Sequence, residues 1–401
     1  MRILLANFAK MVDDSGGLAK VAVNFANEMT KRGHNVTLIY SDEKTGKFFY
    51  PIDKNVTCYD LRHYNGKSID FPLYMKIKRE LLRTFSKIKA RTVNNDFTKK
   101  YLLNNLKELL AKIQPEIIVS FQPAATKALI CDLNIKIPVI TMSHGDPEDY
   151  FHTYPLEEIP AVEKSTINQV LMPSFEEHIK SHLPNAKTIT IGNAIPQFDF
   201  SADLAADKEV YKIIFVGRLT KNHKRPHLLI EAFAKIADKY QNWIVELWGA
   251  PDKKAYYLEL EHLIKTNNLH NRVFLKGSTD KVPLILKDAD IFAFPSAYEG
   301  FGMALAEGMS VGLPSVGYKN CPAVNELIRN GKTGILCDDG VDSFAKALEK
   351  LINDKALRVE MGNAAKKDME QYAPEKIWDR WEMLMGEFLK RAVDHEENST
   401  K

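Results

Sequence analysis

Apolar positions in the first half of the chain alternate between short continuous runs and helical spacing. Continuous runs over residues 2–6, 35–40, 116–120 and 138–143 predict buried strands, and the spacing over 18–29 and 123–133 predicts helices between them. Shorter runs at 170–172 and 188–191 predict two more strands. Parallel strands that are buried on both faces are apolar along their whole length. The alternation therefore predicts a parallel sheet covered by helices.

The same alternation restarts after a polar stretch. Residues 196–208 lack an apolar period and predict an interdomain linker, and strands are then predicted at 211–216, 243–248, 272–275 and 290–294. We thus predict an α/β protein with two doubly wound, Rossmann-like domains, 1–195 and 209–375, that face each other across a cleft. An amphipathic helix at 376–393 is expected to pack on the N-terminal domain, and the charged stretch 394–401 to be disordered.

The composition narrows the classes of function. With 401 residues, 45% of them apolar, the chain can bury two cores. Its 55 basic and 52 acidic residues are close to balance, which disfavours a dedicated nucleic-acid binder. The four cysteines form no CxxC pair and indicate neither a disulfide framework nor a zinc site. No apolar run reaches the ~20 residues of a membrane-spanning helix, so a soluble or peripheral protein of the reducing cytoplasm is expected.

One segment departs from this balance of charge. Between residues 76 and 112, eleven Lys or Arg residues stand against three acidic residues, and the amphipathic pattern predicts a basic helical insertion over 74–113. The cations are interleaved with Leu81, Leu82, Phe85 and Ile88. Such a segment suits either a helix that lies on an anionic membrane or a solvated helix face beside an acceptor site.

The stretch 294–326 carries the strongest chemical signal. It combines an apolar strand, the turn Gly300-Phe301-Gly302, a helix that begins at Met303, and two carboxylates, Glu299 and Glu307. A glycine turn lets the backbone approach a ligand, and a helix N-terminus offers unpaired N–H groups to an anion. Carboxylates accept hydrogen bonds from hydroxyl groups. A ligand that contains both phosphate and sugar fits this stretch.

Two cations are predicted at the end of another strand. Gly217-Arg218 follows the strand at 211–216, and Lys224 lies in the loop before the next helix. Placed there, the cations can hold a diphosphate and stabilise the negative charge that grows on it as it leaves. Taken alone, they are equally consistent with ordinary loop cations.

Together, these motifs resemble those of the retaining GT-B glycosyltransferases of family 4, the glycosyl transferases group 1. In the C-terminal half, the similar order and spacing extend over Gly217-Arg218, Lys224, Pro295-Ser296, Glu299 to Glu307 and Gly312-Leu313-Pro314. In the N-terminal half, the resemblance includes Gly16-Gly17, His144-Gly145 and Ile191-Gly192-Asn193. It covers nearly the whole chain, except the basic insertion and the tail.

The resemblance implies a nucleotide-sugar donor bound mainly by the C-terminal domain and an acceptor on the N-terminal side. Arg218 and Lys224 would hold the diphosphate, Glu299 would contact the transferred sugar, and His144 would form a hydrogen bond near the reacting carbon; these four would be the catalytic residues. Glu307 would hold the ribose. The other implied donor contacts are Gly16, Gly17, Gly217, Gly277, Ser278, Gly300, Phe301, Gly302, Met303, Ala304 and Leu305.

The resemblance also implies retention at the anomeric carbon, by same-face displacement in which the leaving phosphate takes the acceptor proton. A double displacement through Asp146 or a neighbouring acid stays open. No metal or other cofactor is expected, because cations and helix N-termini can neutralise the diphosphate. We interpret Asp288-Ala289-Asp290 as a turn. The rival interpretation is a non-catalytic GT-B binding or chaperone partner of another transferase.

The expected donor is a UDP-hexose or UDP-N-acetylhexosamine, with GDP-mannose second. The expected acceptor is a glycan or a lipid-linked sugar in cell-surface polysaccharide or glycoconjugate synthesis. An anionic membrane is a further candidate partner, which would place this cytoplasmic protein on the inner face of the cell membrane. No nucleic-acid partner is expected.

Overall fold

A computed structural model describes the chain from Met1 to Ser399, with side chains as far as Lys390. The chain forms two compact units, Met1–Ile191 together with the stretch from Trp378, and Gly192–Ile377. Each unit is a parallel sheet with helices, which confirms the predicted α/β class and the Rossmann-like character of both domains.

The first unit contains a seven-stranded parallel sheet of order β3-β2-β1-β4-β5-β6-β7. Its strands are β1 (Arg2–Asn7), β2 (Asn35–Tyr40), β3 (Thr57–Asp60), β4 (Ile117–Ser120), β5 (Val139–Met142), β6 (Ile167–Val170) and β7 (Thr188–Thr190). Its helices are α1 (Gly17–Lys31), α2 (Leu73–Phe85), α3 (Lys87–Phe97), α4 (Leu103–Ile113), α5 (Pro123–Thr126), α6 (Glu148–Thr153), α7 (Ile159–Lys164) and α8 (Pro173–Lys180). π-Helical turns extend α3 through Thr98–Leu102 and α5 through Lys127–Asp132, and Leu156–Glu158 forms a 3-10 turn before α7.

The second unit contains a six-stranded parallel sheet of order β10-β9-β8-β11-β12-β13. Its strands are β8 (Tyr211–Val216), β9 (Trp243–Trp248), β10 (Val273–Gly277), β11 (Ile291–Phe294), β12 (Ser315–Tyr318) and β13 (Gly334–Cys337). Its helices are α9 (Pro226–Ala234), α10 (Lys254–Thr266), α11 (Val282–Lys287), α12 (Met303–Ser310), α13 (Val324–Leu327), α14 (Val341–Asn353) and α15 (Lys355–Met369). Short 3-10 turns lie at Ala237–Lys239 and Glu370–Tyr372.

The stretch predicted as a linker packs on the second unit. Residues 196–208 contain neither helix nor strand, but Leu204 is buried, the Ala202 N–H donates to the Val311 carbonyl (2.9 Å), and Lys366 donates to the Phe200 carbonyl (2.7 Å). The boundary between the units therefore falls earlier, after Ile191. Residues 196–208 are thus part of the second unit.

The last helix, α16 (Pro374–Ser399), belongs to the first unit from Trp378 onward. Its Trp378 and Trp381 rings meet Phe25 of α1 edge-on, at centroid distances of 5.5 and 5.0 Å. Helical backbone continues to Ser399 where the sequence predicted a disordered tail, and residues 400–401 lie outside the described residues. No helix within residues 1–399 has the length and apolar character needed to cross a bilayer.

Candidate active site

The strand order of the second unit reverses between β8 and β11, so the carboxyl ends of these neighbouring strands flank one crevice. Gly217-Arg218 leaves β8 there, and Pro295-Ser296 leaves β11. The turn after β9 lies against the same edge, because a Cβ at Gly249 would overlap the Gly217 carbonyl oxygen. Gly249 has φ +146° and donates its N–H to the Gly277 carbonyl (2.8 Å). The ends of β8, β9 and β10 thus meet closely.

Lys224 and Glu299 form an ion pair at this edge. The Lys224 Nζ lies 2.6 Å from Glu299 Oε1, with the two side chains only 15% and 8% exposed. The ammonium also lies 4.8 Å from the centre of the Phe294 ring, and the lysine stem passes Gly217. The structure therefore brings Gly217 and Lys224, which follow one strand, together with Glu299, which follows another. An ammonium has three N–H donors, so Lys224 can hold an anion while it stays paired.

Arg218 differs from Lys224 in its surroundings. It is exposed, and it forms no ion pair with any side chain among residues 1–390. A guanidinium presents several donors in a plane that matches a phosphate group. Arg218 is thus the solvent-exposed cation of the crevice, and Lys224 is the cation held in place by Glu299.

Helix α12 begins directly after the glycine turn. Gly302 is its N-cap residue with φ +85°, a left-handed conformation that favours glycine, and the N–H groups of the first turn begin at Met303. Glu307 is half-buried one turn further along, and Ala304 is partly exposed. Gly308 lies against the sheet, since a Cβ there would come within 2.6 Å of the Phe292 ring. The helix is therefore closely packed on β11.

Two of the predicted donor residues use their side chains in packing. Leu305 is fully buried, and the Phe301 ring packs edge-on against Tyr372 at 5.1 Å beneath Gly192. Gly300 remains partly exposed in the turn. For Phe301 and Leu305, any contact with a ligand is left to the backbone.

The predicted base-reading loop is open. Gly277 and Ser278 are exposed at the end of β10, and the Lys281 N–H donates to Thr279 Oγ1 (3.0 Å). This local hydrogen bond orders the turn.

Arg225 is a site residue that sequence reasoning missed. It takes a left-handed φ of +49° and donates from Nε to the Pro295 carbonyl (2.9 Å) and from Nη1 to Asp339 (3.0 Å). Its guanidinium lies 4.8 Å from the centre of the Tyr318 ring. Arg225 thus fixes the loop that carries Lys224 to the loop that carries Glu299. The basic residues of this loop were equally consistent with ordinary loop cations, and nothing local distinguishes Arg225 from its neighbours.

Asp290 has a structural role. It is fully buried, pairs with Lys208 Nζ (2.7 Å) and accepts from the Lys212 N–H (2.8 Å). The two contacts fasten the segment before β8 and β8 itself to the residue that precedes β11. Its carboxylate oxygens are therefore engaged in these structural contacts.

In the first unit, Gly16-Gly17 begins α1 on a loop that Asp42 holds. Asp42 Oδ2 accepts from the N–H groups of Met11 (2.7 Å) and Val12 (2.8 Å). Burial raises the pKa of this carboxyl, but the backbone hydrogen bonds outweigh burial and hold its pKa below the ordinary value. A Cβ at Gly17 would meet no atom within 4 Å, so the space beside it is open. Asp42, just after β2, is a second residue that sequence reasoning missed.

His144 follows β5 and stacks on Phe121, with ring centres 5.5 Å apart. Its Nε2 is shielded from solvent and has no hydrogen-bond partner among the described residues. Burial lowers the pKa of His144 to about 4. The imidazole is therefore neutral near pH 7 and can donate or accept a hydrogen bond.

The acids after His144 are engaged with histidines. Asp146 is buried and hydrogen-bonds through Oδ1 to His178 Nδ1 (2.6 Å), and Glu148 Oε1 lies 2.7 Å from His152 Nε2 and 2.9 Å from His182 Nε2. Among the described residues, Glu148, His152 and His182 are the group whose ligand atoms are close enough to hold a metal ion. Partial burial raises the pKa of Glu148, but the two histidines outweigh it and lower the pKa. Mutual hydrogen bonds thus satisfy this cluster.

Comparisons with known proteins agree with this fold. Residues 196–368 match the family model described as glycosyl transferases group 1. An uncharacterized glycosyltransferase of Haemophilus influenzae is 23% identical over 393 residues, which span 94% of this chain and 98% of that protein.

Two further similarities cover most of the chain. The Campylobacter jejuni protein named GalNAc-α-(1→4)-GalNAc-α-(1→3)-diNAcBac-PP-undecaprenol α-1,4-N-acetyl-D-galactosaminyltransferase is 23% identical over 93% of this chain and 96% of its own length. The structure of a mutant S. aureus TarM in complex with fondaparinux, α-GlcNAc-glycerol and UDP superposes with a TM-score of 0.72 at 16% identity, over 96% of this chain and 100% of that chain. The latter similarity concerns the fold.

Proposed function

We propose that this chain is a retaining transferase that moves a hexose or N-acetylhexosamine from a UDP-sugar to a glycan or lipid-linked acceptor. Residues 196–368 match the family model of the glycosyl transferases group 1, and the chain has the GT-B fold of the similar solved structures. One observation carries the proposal: the buried Lys224–Glu299 pair lies at the crevice where the strand order reverses, with the open cation Arg218 at the same edge.

The cations determine how the donor would react. Arg218 and the remaining N–H donors of Lys224 bind the diphosphate, whose negative charge grows as the bond between the anomeric carbon and the phosphate oxygen breaks. The electron pair of that bond leaves with the diphosphate. The acceptor hydroxyl then bonds to the anomeric carbon on the same face and passes its proton to the departing phosphate. Catalysis by this route depends on the positions of the donor and the acceptor hydroxyl and on stabilisation of the leaving diphosphate.

The remaining site residues orient the sugar and the nucleoside. The second carboxylate oxygen of Glu299 accepts from a sugar hydroxyl, Glu307 accepts from the ribose, and the N-terminus of α12 faces the phosphate with its N–H groups. His144 of the first unit is neutral near pH 7, because burial lowers its pKa to about 4, so its proposed role is to offer a hydrogen bond to the sugar without acting as an acid. No metal ion is required in this scheme, since two cations and a helix N-terminus already balance the diphosphate.

The choice of substrates follows the relatives. The TarM complex contains UDP, and the Campylobacter relative is named for a lipid-linked glycan acceptor, which support UDP over GDP and a lipid-linked acceptor in cell-surface polysaccharide or glycoconjugate synthesis. GDP-mannose is the second choice of donor. A protein that acts on such acceptors would lie in the cytoplasm, at the inner face of the cell membrane.

A nucleotide-sugar panel tests the proposal. The purified protein, supplied with lipid-linked acceptors, should release UDP from one UDP-sugar and form a product with the donor's anomeric configuration by NMR. Arg218→Ala should lower kcat/KM by about a hundredfold or more, the loss typical of one group that stabilises transition-state charge. Lys332→Ala, an exposed cation elsewhere in the same unit, is the control and should leave kcat/KM unchanged.

The outcomes separate the alternatives. Inversion at the anomeric carbon would refute retention, and an adduct on Asp146 found by mass spectrometry would replace same-face displacement by double displacement. Binding of UDP without transfer or hydrolysis from any donor would favour a non-catalytic partner. The presence of Arg218, Lys224, Glu299, Glu307 and His144 argues against that partner.

A further inference from the structure

Helix α2 presents apolar side chains on two different faces. Its inner face packs on the core of the first unit through Met75 and Leu82, and Arg79 covers the Phe71 ring at 4.8 Å. Its outer face carries five large apolar residues that stay in solvent, with exposures from 53% for Ile77 to 87% for Phe85; the five are Leu73, Tyr74, Ile77, Leu81 and Phe85. We call these five residues the outer face of α2. Packing within the unit leaves this face uncovered.

The outer face is continuous. At 100° per residue, the five side chains fall within an arc of about 120° that also contains Thr84. Glu80 and then Lys76 lie beyond one edge of the arc, and Lys78 lies beyond the other. A helix that is only part of a globular core places polar residues on its solvent side. Exposed apolar side chains that form one stripe instead mark a surface that contacts something else.

The charge around the outer face points to the partner. Over residues 73–89 there are six cations (Lys76, Lys78, Arg79, Arg83, Lys87 and Lys89) and one acid (Glu80). Arg83 pairs with Glu80 at 2.9 Å, whereas Lys76, Lys87 and Lys89 are exposed and form no ion pair with side chains of residues 1–390. Lys78 is also exposed and lies 3.8 Å from the Asp96 carboxylate. An apolar stripe in a segment with this excess of cations complements the acyl boundary and the head groups of an anionic bilayer. A second copy docked through the same face would bring like charges together.

Other residues of the basic insertion serve the fold. Arg91 donates to the Thr153 carbonyl (2.8 Å) and lies 4.3 Å from the Tyr154 ring centre. Ile88 is partly buried. Arg91 and Ile88 therefore serve the fold, and the free surface is on α2.

We propose that the outer face of α2 docks the protein on an anionic lipid bilayer, with the helix in the plane of the interface. Leu73, Ile77, Leu81 and Phe85 enter the boundary between head groups and acyl chains, and Lys76, Lys78 and Lys87 contact anionic head groups. The proposal is independent of the sugar that is transferred, and it supplies a way for a protein of this family to reach a lipid-linked substrate.

Vesicle flotation tests the proposal. The wild-type protein should float with vesicles of phosphatidylglycerol and phosphatidylcholine at low salt, less at high salt, and weakly with phosphatidylcholine alone. The double variant Ile77→Glu with Leu81→Glu should lower the partition constant by at least about tenfold, because burying one Leu side chain is worth about that factor. Lys76→Glu with Lys78→Glu should lower it roughly fivefold for each lost cation.

Controls keep the test decisive. Leu156→Glu replaces an apolar side chain that is 78% exposed in the same unit but outside α2, and it should float like the wild type. Should the glutamate variants unfold, Phe85→Trp in the otherwise unchanged protein reports insertion by a blue shift of its fluorescence on anionic vesicles. Wild-type protein that does not float, or glutamate variants that float as well as the wild type, would overturn the proposal. A dimer that the same substitutions convert to monomers would assign the face to a second copy instead.

Discussion

At the scale of single residues, the site depends on charges held in two different ways. Lys224 and Glu299 are buried against each other, and either charge left alone there would be costly. Arg218 is exposed and unpaired among residues 1–390. The fold therefore holds Lys224 in position, whereas Arg218 faces solvent. In the proposed reaction, one fixed and one exposed cation suit a diphosphate that must be bound and then released.

Glu299→Gln separates the structural part of this pair from its catalytic part. The substitution leaves Lys224 with a neutral acceptor, so we expect the free energy of unfolding to fall by about 1–3 kcal/mol and kcat to fall by about tenfold or more. Glu261→Gln, on the exposed side of α10, should change neither quantity. Chemical denaturation and initial rates give the two values. In a double-mutant cycle with Lys224→Met, strictly additive losses would contradict the pairing.

His144 makes a prediction about pH. Because burial lowers its pKa from 6.5 to about 4, the unfolded chain binds more protons than the folded chain between these values. The contribution of neutral His144 to stability is thus complete above pH 6.5 and is lost as the pH falls toward 4. His144→Gln should remove up to about 3 kcal/mol of this acid sensitivity.

The measurement is the difference in unfolding free energy between wild type and variant, obtained from urea titrations at a series of pH values from 7.5 to 4. The exposed His270→Gln serves as the control and should follow the wild type throughout. A His144→Gln protein with the wild-type pH profile would show that His144 is not held neutral.

At the scale of elements, the sequence predicts the interior strands best. Strands β2, β8 and β9 coincide with their predicted residues, because each is mostly apolar and lies between two neighbouring strands. Strand β3, four residues at the sheet edge, has too short an apolar run to be recognised. Strand β6 begins earlier than predicted because it contains the buried polar residues Asn168 and Gln169, whose side chains donate to backbone carbonyls.

The candidate site was likewise predicted only in part from the sequence. Glycine turns and a carboxylate beside a helix are local, so the sequence shows them. The contact between Lys224 and Glu299 joins residues 75 positions apart, and only the order of the strands brings them together. Arg225 and Asp42 work by hydrogen bonds to distant backbone groups, for which a single sequence carries no signal. Long-range pairing is therefore the part that needed the structure.

Helix α12 makes a prediction at this scale. Gly308→Ala would place a methyl group 2.6 Å from the Phe292 ring, so α12 must move away from β11. We expect a loss of about 1–3 kcal/mol in unfolding free energy, together with a higher KM for the donor. Gly386→Ala is a matched control in α16, because nothing lies within 4 Å of its Cβ position, and it should stabilise by up to about 1 kcal/mol. Unchanged stability and KM in Gly308→Ala would show that the helix is not fixed at this contact.

At the scale of the whole molecule, the chain enters the second unit after Ile191 and returns to the first at Trp378. The first unit is therefore completed only by the last part of the chain. Trp381 is 2% exposed and packs on Phe25, a fully buried residue of α1. The second unit has its own core around β8 and β11. Because the two units have separate cores, we expect that a substitution in one core can lower the unfolding free energy of that unit without changing that of the other unit.

Trp381→Ala tests this independence. Loss of a buried indole should cost the first unit about 3–5 kcal/mol, because the cavity against Phe25 cannot be refilled by the remaining side chains. Hydrogen exchange followed by mass spectrometry should then accelerate in peptides of β1 and α1 and stay unchanged in β8 and β9. Phe233→Ala, a fully buried residue of the second unit, should give the opposite distribution. Equal acceleration across both units in either variant would mean that the chain unfolds as one cooperative body, with the C-terminal helix stabilising the entire molecule.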